Sequence, residues 1–135
     1  MHTLMSKRRA LLAGVALLVL GGLSTACNAN EQALFMQIVH QRESVKNNSF
    51  LVCVRAHESD TAGSYWARNP SSGASGAYQF LDSTWRVVAA RAGHGAYAGA
   101  PARNAPDWVQ DAVAYDTAIT RGERRHWHGT GCPGS

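Results

Sequence analysis

Cys53 and Cys132 stand near the two ends of the stretch of this 135-residue chain that can build a core, and a bridge between them would constrain every fold open to it. A domain of this size has a modest core and gains from a covalent staple in an oxidising compartment. Such a bridge closes a loop of about 80 residues, worth roughly 4–5 kcal/mol in the chain-entropy picture. The third cysteine, Cys27, follows a segment that stands apart from the domain. Lys7, Arg8 and Arg9 form a positive start, "ALLAGVALLVLGGL" an apolar run, and Ser24, Thr25 and Ala26 a small-residue end. That pattern is an export signal over residues 1–26, and its apolar run is short for a stable membrane span. An uncleaved anchor is the competing reading, and "RRALL" also fits a twin-arginine export signal. Cys27 has two readings of its own. One is lipid attachment, with membrane anchoring as the consequence. "LSTAC", however, places Leu23 four residues before the cysteine, where a lipobox has it three before. "STA" equally suits ordinary signal cleavage.

Export changes the charge argument. Removing Lys7, Arg8 and Arg9 from thirteen Lys and Arg leaves ten against nine Asp and Glu, so +4 becomes +1. The basic excess that would suggest nucleic acid sits in the signal, and a nucleic-acid partner is not expected.

Downstream the periodicity is helical. In "EQALFMQIVHQRESVK", within residues 27–48, Leu34, Ile38, Gln41 and Val45 keep helical spacing, as a helix or a linker that becomes helical on packing. Ser49 is expected to cap a second helix, "FLVCVRAHE", with Phe50, Val54 and His57 on one face. "NPSSGASG" is dense in turn formers. Asp82 is expected to cap "STWRVVAARA", ended by Gly93. Pro106 opens a long helix with Trp108, Ala112, Tyr115 and Ile119 as its stripe and Gly122 after its end. No strand-type alternation and no internal repeat is present, so the fold is expected to be mainly helical.

One carboxylate stands out. Glu58 lies where the second helix ends and a polar, aromatic loop begins. Beside apolar walls a carboxyl loses hydration and its pKa rises. Cleavage of a glycosidic bond needs such a protonated acid, as in lysozyme, the system from which this general logic comes. Tyr65, Trp66, Tyr78 and Trp85 offer flat faces for sugar rings, and Asn69 and Gln79 offer amides for hydroxyl and acetamido groups. On residue types alone, a solvated helix-end glutamate and core aromatics remain the blander alternative.

"CVRAHESD", "NPSSGASGAYQFLDSTW", "APDWVQDAVAY" and "WHGTGC", covering about residues 50–132, resemble the transglycosylase-like domain of actinobacterial secreted proteins. That family is related to resuscitation-promoting factors, in the lysozyme superfamily. The resemblance implies a small α+β lysozyme-like fold over residues 49–135. It also implies cleavage of the β-1,4 bond between N-acetylmuramic acid and N-acetylglucosamine in peptidoglycan, with Glu58 catalytic. Groove positions fall on Ala77–Phe80, with Tyr78 and Gln79 foremost, and on Trp85. Two departures stand out. Resuscitation-promoting factors carry a cysteine directly before the glutamate, whereas here Cys53 is five residues earlier, and the loop after Glu58 differs.

Asp60 and Asp82 are the nearby carboxylates that a hydrolase could use as its second group. Without one, the muramyl 6-hydroxyl supplies the nucleophile, as in a lytic transglycosylase. The rival from another class is a wall module that binds glycan without cutting it. A zinc site at His57, His94, His126 or His128 lacks any HExxH or paired CxxC pattern, so no metal and no cofactor is expected. "RGERRHWH" reads either as a basic surface for anionic wall polymers or as a solvated helix end. The expected whole is an exported monomer whose partner is the peptidoglycan glycan strand.

Overall fold

The computed structural model describes residues 28–59 and 64–135. The expectations for the export signal, Cys27 and Asp60 lie outside those residues. The chain divides into two compact units, Met1–His40 and Gln41–Ser135. Residues 28–46 are helical (α1), and in the first unit Leu34, Phe35, Met36 and Ile38 are exposed. Among the described residues no helix is long and apolar enough to cross a membrane.

The second unit is built from α2 (Ser49–Glu58), α3 (Asp82–Arg91) and α4 (Asp107–Tyr115), with short 3-10 turns and a π-helical turn at Asp116–Thr120. The mainly helical expectation holds. Its β component is reduced, among the described residues, to antiparallel bridges joining Arg68 to Ser75 and Ser75 to Phe80. Cys53 and Cys132 are disulfide-bonded across 79 residues, tying α2 to the C-terminal segment.

Two capping expectations are corrected. Asn48, not Ser49, caps α2: its Oδ1 accepts from the amides of Phe50 at 3.1 Å and Leu51 at 3.4 Å. Asn48 has non-helical backbone angles while Ser49 is already inside the helix, and Asn is as strong a cap as Ser. Asp82 makes no cap hydrogen bond, because it is the first helical residue and Leu81 takes the cap position. Its charge still suits the positive end of the helix.

The core is an aromatic cluster closed by helices. Phe50, Leu51 and Val54 of α2 meet Trp85, Val88 and Ala89 of α3 and Val109, Val113 and Ala114 of α4. Trp127, from the C-terminal turn Arg124–Thr130, packs edge-on against Phe50 at 6.0 Å and Phe80 at 5.5 Å. Both buried indoles satisfy their N–H: Trp127 donates to the Tyr78 carbonyl and Trp85 to the Tyr97 carbonyl, each at 2.9 Å.

The buried face of α4 is one residue away from the expected stripe. Val109 and Val113 face inward with Gln110, Asp111, Ala114, Thr117 and Ala118, whereas Trp108, Ala112, Tyr115 and Ile119 are half-buried. A stripe counted from apolar residues passes over polar ones, yet these are buried because each has partners. The Tyr78 hydroxyl donates to Asp111 at 2.6 Å and that of Tyr65 at 2.8 Å, while Arg55 donates to Tyr78 at 2.7 Å and pairs with Asp111 at 3.4 Å. Burial, then the Asp111 charge, pushes the Tyr78 phenol far up; burial and Asp111 do the same to Tyr65, so both stay hydroxyl donors. Tyr78→Phe removes one donor and one acceptor from this buried set. It is expected to cost about 1–3 kcal/mol, read by urea unfolding at unchanged m-value.

Candidate active site

Glu58 is the last residue of α2, so the helix that anchors the disulfide also carries the carboxylate. Ser59 leaves the helix in an extended conformation, with its hydroxyl donating to the Arg55 carbonyl at 3.1 Å. Glu58 opens onto a groove of about 540 Å³, lined also by His57, Ala67, Arg68, Asn69, Pro70 and Gln79.

The wall opposite the helix is a compact turn. Asn69 Oδ1 accepts from the amides of Ser71 at 2.9 Å and Ser72 at 3.1 Å, and Asn69 N–H donates to the Ala74 carbonyl at 2.8 Å. Ser75 and Phe80 exchange backbone hydrogen bonds at 3.0 and 3.1 Å. Between them Gln79 is left-handed, with φ 49°, a conformation that costs a non-glycine residue roughly 1–2 kcal/mol. Its amide donates to the Gly76 carbonyl at 2.9 Å. Such backbone strain persists where the surroundings over-determine it, and here it lies in the groove wall.

Gln110 holds this wall from beneath. Fully buried, it accepts from the Ala77 amide at 3.0 Å and donates to the carbonyls of Ala105 at 2.9 Å and Tyr65 at 3.2 Å. Gly76 lies so close that a Cβ there would collide with the Gln110 side-chain oxygen, and its φ of 80° also calls for glycine.

Burial raises the Glu58 pKa above the usual carboxylate value, and the neighbouring His57 pulls it the other way. Among the described residues lining the groove Glu58 is the one carboxylate, and Asp82 is not among them. The arrangement can hold a proton and deliver it to an oxygen in the groove. A protonated His57 favours the Glu58 anion, so His57→Gln is expected to shift any Glu58-dependent loss of rate at high pH further toward alkaline values. The pH profile of kcat/KM measures it, and an unmoved limb would remove His57 from the electrostatics of the site.

Of the expected sugar contacts, Asn69 and Gln79 share the groove with Glu58. Trp66, 77 % exposed, precedes the groove residue Ala67 in the chain. Tyr65 spends its hydroxyl on Asp111. Tyr78 at 1 % and Trp85 at 0 % exposure are core residues in this structure, so neither presents a face to the groove. The residues that sequence reasoning passed over are Arg68 and Pro70, since a lone loop arginine carries no pattern that marks it; His57, expected on the face of Phe50 and Val54, is instead exposed and lines the groove. The zinc alternative meets one chemical fact. Among the described residues the potential ligand cluster is Cys53, His57 and Cys132, within 4.8 Å of one another, and both of its sulfurs are joined in the disulfide.

The transglycosylase-like domain family matches residues 54–130, from within α2 to the C-terminal turn. The chain belongs to this family. Among its relatives, a probable transglycosylase SceD 2 of Staphylococcus saprophyticus is 52% identical over 61 residues, covering 43% of this chain and 23% of that protein. A probable transglycosylase SceD of Staphylococcus aureus strain Newman is 41% identical over 90 residues, 63% of this chain and 37% of the relative. This member of the transglycosylase-like family therefore spans well under half the length of those curated relatives. No solved structure matches it.

Proposed function

We propose that this protein is an exported lytic transglycosylase that cleaves the β-1,4 bond between N-acetylmuramic acid and N-acetylglucosamine in peptidoglycan. One observation carries the reading: a half-buried carboxyl with a raised pKa stands alone among the described carboxylates of a polar groove. Family membership and relatives named as probable transglycosylases support it.

In this mechanism Glu58 gives its proton to the glycosidic oxygen as the bond to the muramyl C1 breaks, and N-acetylglucosamine leaves with its 4-hydroxyl. The muramyl acetamido oxygen supports the developing cation. Glu58, now a carboxylate, takes the proton of the muramyl 6-hydroxyl as that oxygen bonds to C1. A 1,6-anhydro product forms, Glu58 is protonated again, and no water is consumed. Rigid placement at a helix end supplies orientation, and the half-buried position raises the Glu58 pKa and so favours the acid form over that of a free carboxyl. Asn69 and Gln79 bind the amide and hydroxyl edges of the sugar, with Trp66 as an exposed stacking face. Residues 1–26 direct export, and lipid on Cys27 would retain the enzyme at the membrane.

Purified peptidoglycan digested with the oxidised chain from residue 28 onward tests the proposal, with released muropeptides weighed by mass spectrometry. Anhydro-ended fragments are expected. Reducing-ended fragments would make the enzyme a hydrolase and bring Asp60 forward as its second carboxylate. Glycan binding with no release from several wall types would leave a non-catalytic wall module.

A further inference from the structure

We infer that Arg68 is a specificity-determining residue that reads a carboxylate carried on the muramyl substituent. The inference rests on the glycan-cleaving reading and names a feature of its substrate.

Arg68 lines the same groove as Glu58. Its main chain is fixed from both sides: Gly76 N–H donates to the Ala67 carbonyl at 2.9 Å, and Asn69 N–H to the Ala74 carbonyl at 2.8 Å. Its own bridge to Ser75 completes the anchorage. The head group is treated differently. Arg55, Arg91 and Arg121 are ion-paired, and Arg42 and Arg124 lie over the rings of Trp108 and Phe50. Arg86, Arg103 and Arg125 share with Arg68 the lack of an ion pair among the described residues, but of these four Arg68 is the one that lines the Glu58 groove. Among the described residues Arg68 has no ion pair, and it is exposed. Glu58 does not serve as its counter-ion either. A rigid base carrying a guanidinium with no ion pair among the described residues, in a groove whose one described carboxylate is occupied with chemistry, is a receptor for an external anion.

The substrate supplies one. The muramyl sugar differs from its N-acetylglucosamine neighbour by a lactyl ether on O3. That group ends in a carboxyl, either free in peptide-free strands or amide-linked to a peptide that bears further carboxyls. Guanidinium pairs with a carboxylate through two parallel hydrogen bonds, which a lysine ammonium does not reproduce. Arg68 would therefore set which sugar of the alternating strand enters its side of the groove.

The test measures binding by calorimetry in a Glu58→Gln background, which prevents turnover, and cleavage by the wild type in parallel. Four probes are used: peptide-free glycan, peptide-bearing strands, the same strands with peptide carboxyls amidated, and a chitin oligosaccharide with no lactyl group. Arg68→Ala is expected to weaken binding of carboxylate-bearing probes about tenfold or more and to leave the chitin oligosaccharide unchanged, with Arg68→Lys between. Loss on peptide-free glycan assigns the lactyl carboxylate. Loss confined to strands with free peptide carboxyls assigns the peptide. Equal weakening on all four probes, or no weakening on any, overturns the inference. The two readings fail separately: a wild type that prefers carboxylated glycan through Arg68 but never cuts it sinks the transglycosylase and keeps Arg68. One that cuts with no dependence on Arg68 does the reverse.

Discussion

Glu58→Gln is expected to lower muropeptide release by at least about a thousandfold while the protein stays folded. General acid and base catalysis each contribute on the order of 10²–10⁴, and in the proposed mechanism one carboxyl does both in turn. The amide keeps the shape and cannot give up or take a proton. Stability should not suffer, and the sign follows from the pKa. Burial raises the Glu58 pKa in the fold. The stability it contributes is then present below the unfolded value and is lost as pH rises through the folded one. At neutral pH the native side chain therefore does not favour the fold, and the neutral amide removes that penalty. Chemical unfolding of both forms at acid and neutral pH checks this: the variant should match or exceed the wild type at neutral pH. A variant retaining a tenth of the activity would end the case for Glu58.

Removing the disulfide has the largest expected effect on stability. Cys53 and Cys132 are 79 residues apart, so the bridge restrains nearly the whole folded unit in the unfolded chain, worth about 4–5 kcal/mol. Against the 5–15 kcal/mol typical of a folded domain, that is a large share. The double variant Cys53→Ala, Cys132→Ala is expected to melt roughly 20 °C lower, taking several degrees per kcal/mol for a domain near 100 residues. Activity should fall with it at physiological temperature, because the bridge is attached to α2, about one and a half turns before the helix end that presents Glu58. Urea unfolding with and without reductant measures the effect, and coincident curves would mean the aromatic core around Trp127 holds the C-terminal segment unaided.

Much of this was legible because it depends on local pattern or on elimination. The helices follow from spacing, and the cysteine pairing follows from having two cysteines at the ends of the folded stretch. Glu58 is conspicuous because a helix stops beside it and turn formers follow. The caps failed by one residue, since Asn48 and Ser49 are both good caps and only the backbone angles decide between them. The α4 face failed because Gln110 and Asp111 look like surface residues until Tyr65, Tyr78, Arg55 and the 76–79 turn are brought to them.

The sequence by itself determined a mainly helical unit closed by one long disulfide, with one carboxylate at a helix end. Only the tertiary structure decided which of the aromatic and amide side chains face the groove. Tyr78 and Trp85 are buried at 1 % and 0 % exposure, while Asn69, Gln79 and Arg68 line the site. The reason is physical: a flat ring with one polar edge lowers the free energy equally well in a core that satisfies that edge or against a sugar. Which of the two it does depends on partners distant in the chain, such as Asp111, 33 residues from Tyr78, and the Tyr97 carbonyl, 12 residues from Trp85, and on Trp127 packing against both Tyr78 and Phe50.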